Sequence, residues 1–194
     1  MMSSSNSRVI TTDSQPSQSS QDPFTKWYHS SEYPYMDVVN DSGIAYLSAA
    51  DQTDWMIVIT RVKPGCVWVV RRSKYDPYDG EEHVVELYTK EQNTSSYNRV
   101  YYNPFAGESS EIKRVFPEFF HKHRYGHMFL TEDDAAGNWT ISPQNQLDWT
   151  LSLDRSTGLW IVQGTKGDTQ EETLTVYDVP FGETRWKCVY DHVF

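Results

Sequence analysis

Two hydrophobic patterns along the chain predict β-strands of different exposure. In residues 147–154 apolar side chains alternate strictly with polar ones, which predicts a strand with one solvent-facing side. Residues 55–62 instead form a continuous apolar, β-branched run, followed by Lys63-Pro64-Gly65 and a second apolar run at 66–72. Pro then Gly suits the two central positions of a type II turn. The two runs therefore predict a hairpin of central strands that are covered on both faces, or of strands whose ends cross the core.

Further short strands are predicted along the rest of the chain, at 82–90, 97–102, 127–131, 138–141, 159–163, 173–177 and 185–190. One helix is predicted from Pro117, a favourable first-turn residue, to Gly126, a favourable stop. Helices do not alternate with strands as a parallel sheet would require. We therefore expect a mainly β fold, either an antiparallel barrel or a β-sandwich, of about nine strands with one short helix. No internal repeat beyond closely spaced Ser-Gln pairs is visible.

Composition changes abruptly near residue 22. Residues 1–22 are rich in Ser and Gln, which predicts a disordered tail, and residues 23–194 are predicted to form a single β-rich domain. Lys plus Arg number 17 against 27 Asp plus Glu, so the acidic chain is expected to avoid nucleic acid and membrane surfaces. No apolar run suits a signal peptide or a membrane span, so we expect a soluble, cytoplasmic protein.

Aromatic residues make up 14% of the chain and suggest a ligand site. An apolar or aromatic small molecule inside a barrel would need aromatic walls with a few polar groups. The side chains that we expect to line such a site are Trp55, Trp68, Tyr88, Tyr101, Trp149 and Trp160. The alternative is a sandwich that presents a flat aromatic strip to a protein or a glycan. Open sheet edges would also allow a homodimer.

Three of the six histidines lie within seven residues, at His121, His123 and His127. In an extended segment they would share one face and could bind a metal, whereas in a helix His121 and His123 diverge. A third class of function is a barrel isomerase, cyclase or lyase that uses Asp or Glu with His29, His83 or His123 as acid and base. Nucleophile-elbow, Walker and dinucleotide motifs are absent, so the sequence identifies no cofactor.

Cys66 and Cys188 are the only cysteines, and both are expected to be free thiols. Lys63 is close enough in sequence to lower the pKa of Cys66. Alternation places Cys188 between Trp186 and Tyr190 on an apolar face, which predicts a core position.

The predicted architecture, an up-and-down set of strands beside one helix, resembles the calycin class of barrels. Lipocalins of that class carry a Gly-x-Trp element on their first strand. Here the only such element, Gly137-Asn138-Trp139, lies in the second half of the chain. The resemblance therefore concerns architecture alone.

Overall fold

The computed structural model describes residues 21–50, 54–76, 80–91, 93–106, 115–133, 137–145 and 148–194. Most of the predicted N-terminal tail lies outside these residues. The described chain forms two helices and twelve strands: α1 (Pro23–Glu32), β1 (Asp37–Asp41), β2 (Ile44–Ser48), β3 (Met56–Lys63), β4 (Val67–Asp76), β5 (Gly80–Thr89), β6 (Asn98–Asn103), α2 (Phe116–Arg124), β7 (Phe129–Asp133), β8 (Asn138–Ser142), β9 (Trp149–Asp154), β10 (Trp160–Lys166), β11 (Glu172–Asp178) and β12 (Lys187–Val193).

The strands form two antiparallel meanders of six strands each. The first sheet runs β1-β2-β3-β4-β5-β6 and the second runs β12-β11-β10-β9-β8-β7. The expectation of a mainly β, antiparallel fold is confirmed, and the arrangement is consistent with a β-sandwich. In the described part of the chain neither sheet closes on itself, and the elements are twelve strands and two helices rather than about nine strands and one helix.

The protein has four layers. Helix α1 covers the outer face of the first sheet, where Phe24 and Tyr28 pack on Trp68 and Tyr88. The inner faces of the two sheets pack on each other through apolar side chains of β4, β5, β10 and β11. Helix α2 covers the outer face of the second sheet. Strands β4 and β10 are therefore covered on both sides, as the continuous apolar run at 66–72 predicted for β4. The same expectation is wrong for β3, because only one of its faces is buried and Met56 on the other face is 55% exposed.

The hairpin predicted from Lys63-Pro64-Gly65 is confirmed. Strands β3 and β4 pair antiparallel across this turn, and the Cys66 N–H donates to the Lys63 carbonyl at 3.2 Å. Gly65 has a φ of +80°, the value that the second central position of a type II turn requires. The predicted helix at residues 117–126 is also present, with Pro117 in its first turn.

The two halves of the chain repeat one another, which inspection of the sequence did not reveal. We call residues 22–106 the first repeat and 115–194 the second, and each is a helix followed by a six-strand meander. In each, a helix histidine donates its Nε2 proton to a methionine carbonyl seven residues later, at 2.9 Å (His29 to Met36, His121 to Met128). Both meanders also shift register at the same place, between β5 residues 87 and 88 and between β11 residues 176 and 177.

Helix α1 was not predicted, although its start follows the usual rules. Asp22 is the N-cap and Pro23 occupies the first turn, so α1 begins with a capping side chain and a residue that needs no hydrogen-bond acceptor. The Asp22 carboxylate accepts from the Phe24 and Thr25 N–H groups. Asp22, which the sequence placed in the tail, is therefore part of the folded first repeat.

Candidate functional site

The six aromatic side chains predicted to line a ligand site lie in three separate layers. They are distributed beneath α1 (Trp55, Trp68, Tyr88), beneath α2 (Trp149, Trp160) and between the sheets (Tyr101). Trp68 and Trp160 are each only 2% exposed and pack as core residues. The Trp68 indole donates to the Asp22 carboxylate at 3.0 Å. The structure therefore does not bring the six rings together around one cavity.

The three clustered histidines point to different partners. His121 Nε2 donates to the Met128 carbonyl at 2.9 Å, and His123 Nδ1 donates to the Phe119 carbonyl at 2.8 Å. The exposed His127 ring lies 3.8 Å from the Asp148 carboxylate. Among the described residues no three His, Cys, Asp or Glu side chains converge as metal ligands.

The cysteines differ from expectation in one respect. Both are free thiols, but Cys188 is exposed on edge strand β12 rather than in the core. Burial raises the pKa of the Cys66 thiol, and the opposing effect of Lys63 is smaller. Cys66 is therefore not an activated nucleophile.

A cleft of about 240 Å³ opens beside the N-terminus of α1, and we call it the α1 cleft. Its walls include the β1–β2 turn, the end of β3 and the first turn of α1. Five polar side chains line it, namely Asp22, Thr25, Asn40, Ser42 and Arg61. Ala45, Ile59 and Trp68 also line it, and we call these three its apolar floor.

Two of the polar groups in the α1 cleft have no partner among the described residues. The Thr25 side chain is 2% exposed, yet its hydroxyl makes no hydrogen bond within the described chain. The Arg61 guanidinium is exposed and forms neither an ion pair nor a side-chain hydrogen bond there. It lies beside the β1–β2 turn, where a Cβ built on Gly43 would be 3.5 Å from Arg61 Nη2. The cleft therefore offers unused hydrogen-bonding capacity.

Asp22 also lines this cleft, and one oxygen of its carboxylate makes contacts that hold the fold together. Its Oδ2 accepts from the Phe24 N–H at 3.1 Å, the Thr25 N–H at 3.3 Å and the Trp68 indole at 3.0 Å. Its Oδ1 accepts no hydrogen bond from the described residues. Asp22 and Arg61 share the cleft without forming an ion pair with each other.

The second repeat has a large side chain where the first has this cleft. Ala45 pairs with Ile59 on β3, and the corresponding residue on β8, Trp139, pairs with Leu153 on β9. Trp139 packs against the core beneath α2, whereas Ala45 leaves the floor of the α1 cleft open. Thr25, on the first turn of α1, corresponds to Pro117 on α2. The fold itself therefore does not require the cleft.

A buried ionic network lies elsewhere beneath α1. The Glu86 side chain is 2% exposed, and its carboxylate accepts from Arg99 at 2.7 Å and from the Tyr28 hydroxyl at 3.2 Å, with Arg72 Nε at 3.4 Å. Arg72 also donates to the Tyr33 hydroxyl at 2.9 Å. These contacts tie α1 to the sheet, and Glu86 lines none of the clefts described here.

The network raises the pKa values of its phenols. Burial first, and then the Glu86 charge, raise the pKa of Tyr28 far above its ordinary value and that of Tyr88 to about 12. Burial works to lower the pKa of Arg72, but Glu86 holds it above the usual value. Tyrosine and arginine therefore keep their neutral and charged forms, respectively, over the whole physiological pH range. This chemistry suits a structural role rather than proton transfer near neutrality.

A second buried carboxylate joins the two repeats. Asp178, at the end of β11, is fully buried, and its Oδ2 accepts from the Tyr101 hydroxyl at 2.9 Å and the Asn103 amide at 2.7 Å on β6. Burial and the Asp178 charge raise the pKa of Tyr101. Tyr101, predicted as a ligand contact, thus links the sheets instead.

Outside the area in which the two sheets pack on each other, their inner faces differ in polarity. On the first sheet Val39, Tyr46 and Met56 are 62%, 41% and 55% exposed and adjoin half-buried Val58; we call these four residues the apolar strip. A larger cleft of about 340 Å³ lies between the end of β3 and the second sheet, and its lining is mainly polar. Arg61 lines this cleft as well as the α1 cleft, and Thr140, Ser152 and Asp154 line it from the second sheet.

Comparison of the chain with protein-family models, with curated proteins and with solved structures found no match in any of the three. No helix in the described part of the chain is long and apolar enough to cross a membrane.

Sequence reasoning missed the residues that matter most for the α1 cleft. Asp22 was assigned to the tail, and Thr25 and Arg61 were not considered. The Asp22-Pro23 pair was the available signal, because an N-cap followed by proline predicts a helix start. No sequence signal shows that Arg61 lacks a partner, since that depends on which strands neighbour β3.

Proposed function

We propose that the protein is a small-molecule-binding module whose ligand occupies the α1 cleft. The observation that carries the proposal is a pair of polar groups without a partner among the described residues, the Thr25 hydroxyl and the Arg61 guanidinium, which line the same cleft. At the position of Ala45, on the floor of this cleft, the second repeat has Trp139. The Thr25 hydroxyl lines the cleft and makes no hydrogen bond to the described residues, so its donor and acceptor capacity is open to a ligand.

The lining of the cleft favours a small polar ligand over the apolar molecule that the aromatic content suggested. Its volume of about 240 Å³ is below the roughly 300–1,000 Å³ of drug-sized sites. Arg61 presents a planar group of donors that matches a carboxylate in a bidentate arrangement. Thr25 can donate to the same carboxylate. The ligand class is therefore a small carboxylate-bearing molecule.

Calorimetry with the full chain and with small carboxylates such as acetate and propionate tests the proposal. We expect saturable binding that Arg61→Gln weakens at least about tenfold, the loss of one charge-assisted interaction of about 1.5–3 kcal/mol. Arg155→Gln is the matched control, because Arg155 is also an exposed arginine that follows the corresponding strand of the second repeat. Equal binding by both variants, or no binding by the wild type, would contradict the proposal.

Thr25→Val gives an independent test with a second readout. Valine has nearly the shape of threonine but lacks the hydroxyl, so it should weaken ligand binding. It should also leave the free protein about as stable as the wild type, because the hydroxyl that is removed makes no hydrogen bond to the described residues. A variant that loses stability in urea would show that the hydroxyl serves the fold.

The apolar strip favours a second function, docking of a protein partner. Contiguous exposed apolar patches on soluble proteins commonly mark interaction sites. A second copy of this chain is the partner that the sequence already suggested through its open sheet edges. Sedimentation velocity over a concentration series measures such self-association.

A further inference from the structure

We infer that the ligand of the α1 cleft is a small zwitterion that carries one carboxylate and one ammonium group, a class that includes the α-amino acids. This inference rests on the proposed function. It comes from the two charged walls of the cleft: Arg61 and Asp22 both line it, and they do not pair with each other.

The Asp22 carboxylate is held in an orientation that suits binding of a cationic group. Three donors converge on its Oδ2, which fixes the orientation of the carboxylate, while its Oδ1 accepts nothing from the described residues. An ammonium group carries three donors and no acceptor, so it complements that oxygen. The held carboxylate loses no rotational freedom when the ligand binds, which favours affinity.

The charge balance of the site also favours a zwitterion. The cleft contributes one positive and one negative side chain, so a ligand with both charges leaves every group paired. The protein as a whole carries a formal charge of -10, which repels a simple anion but not a molecule without net charge. A plain carboxylate would also leave the Asp22 Oδ1 without a partner.

The floor of the cleft limits the rest of the ligand. Ala45, Ile59 and Trp68 are 3%, 2% and 2% exposed and present an apolar surface beneath the charged groups. A ligand side chain over this floor must be small and apolar or absent. Glycine and alanine meet this condition.

Calorimetry with L-alanine, propionate and propylamine on the full chain tests the inference, since the three share a size and differ in charge. We expect L-alanine to bind at least about tenfold more tightly than either of the others, a difference of about 1.4 kcal/mol. Asp22→Asn should bring alanine to the affinity of propionate and leave propionate unchanged. Asparagine caps helices as well as aspartate, so the variant keeps the start of α1.

The outcomes separate this inference from the proposed function. Equal affinity of the wild type for alanine and propionate overturns the zwitterion and leaves carboxylate binding intact. No binding of any of the three compounds overturns both. Alanine binding by Asp22→Asn that equals the wild type also overturns the inference. If Asp22→Asn fails to fold, the affinities of the wild type for alanine and propionate are sufficient to test the zwitterion. Arg155→Gln should bind alanine like the wild type.

Discussion

The two repeats share a fold but differ in the chemistry beneath their helices. In the first repeat Glu86, Arg72 and Tyr28 form a buried ionic network. The corresponding positions of the second repeat hold Thr175, Gly164 and Phe120, as the strand registers and helix positions show. Helix α2 packs on its sheet through apolar and aromatic contacts, including Phe120 on Tyr177, with the exposed Arg124 guanidinium over both rings. A helix can therefore be held on this meander without buried charges.

The same comparison applies to the two surfaces where ligands could bind. Ala45 opens the α1 cleft, whereas Trp139 occupies that position in the second repeat. Val39, Tyr46 and Val58 of the apolar strip correspond to Thr131, Thr140 and Ser152. Because the second repeat folds with the alternative residues, these features of the first repeat are not requirements of the fold. Residues at these positions can therefore have been selected for function.

The largest change in the free energy of unfolding should come from substitutions in the buried ionic network. Glu86→Ala leaves Arg72 and Arg99 without their shared carboxylate, and removing one partner of a buried pair costs about 3–5 kcal/mol. Thr175→Ala, at the corresponding position, removes only a surface-accessible hydrogen bond to Asp191 and should cost about 1 kcal/mol or less. Urea unfolding of both variants measures the difference.

Glu86→Gln is a milder substitution that can still be compared with Thr175→Ala if Glu86→Ala does not fold. Glutamine keeps the shape and an acceptor for Arg99 but removes the charge, so its cost should lie between those of Glu86→Ala and Thr175→Ala. Equal losses for Glu86→Ala and Thr175→Ala would show that the network contributes nothing beyond ordinary packing.

A smaller change in the free energy of unfolding, this time an increase in stability, should come from replacing Tyr177. Its hydroxyl is buried and has no partner among the described residues, and burial raises its pKa to about 12. Tyr88, its counterpart, lies beside Arg99, whereas Tyr177 lies beside Cys188. Tyr177→Phe should therefore stabilise the protein by about 1 kcal/mol, and Tyr88→Phe should destabilise it by a similar amount. Thermal unfolding of the two variants measures both signs, and a less stable Tyr177→Phe would indicate a buried water or another partner.

The sequence predicted those elements whose signals are local. The Lys63-Pro64-Gly65 turn and the Pro117 helix start each depend on a few neighbouring residues, and both are present. Strands β1 and β2 were missed because their turn, Ser42-Gly43, joins short strands with mixed polar residues. The repeat was missed because the matching residues, such as His29 and His121, are few and widely spaced. Sheet layers depend on long-range pairing, which local patterns do not encode.

The candidate site was the least predictable part of the molecule. Aromatic content correctly indicated large packed clusters, but it could not show that Trp68 and Trp160 would be covered by two separate helices. Cys188 was expected in the core because alternation does not reveal that β12 is an edge strand. The surroundings of Arg61 in the α1 cleft depend on segments that the chain brings together only in the folded state.

The smallest effect on stability should come from the apolar strip. Replacing Val39, Tyr46 and Val58 together by the residues of the second repeat (Val39→Thr, Tyr46→Thr, Val58→Ser) should change the free energy of unfolding by less than about 1 kcal/mol, because the positions are largely exposed. If the strip docks a second copy, the triple variant should lose concentration-dependent self-association in sedimentation velocity. The control replaces Thr131 and Thr140 on the second sheet by valine and should not affect association. A wild-type protein that stays monomeric at all concentrations, or a triple variant that associates as before, would remove the strip as a docking surface and leave the α1 cleft as the distinguishing feature of the first repeat.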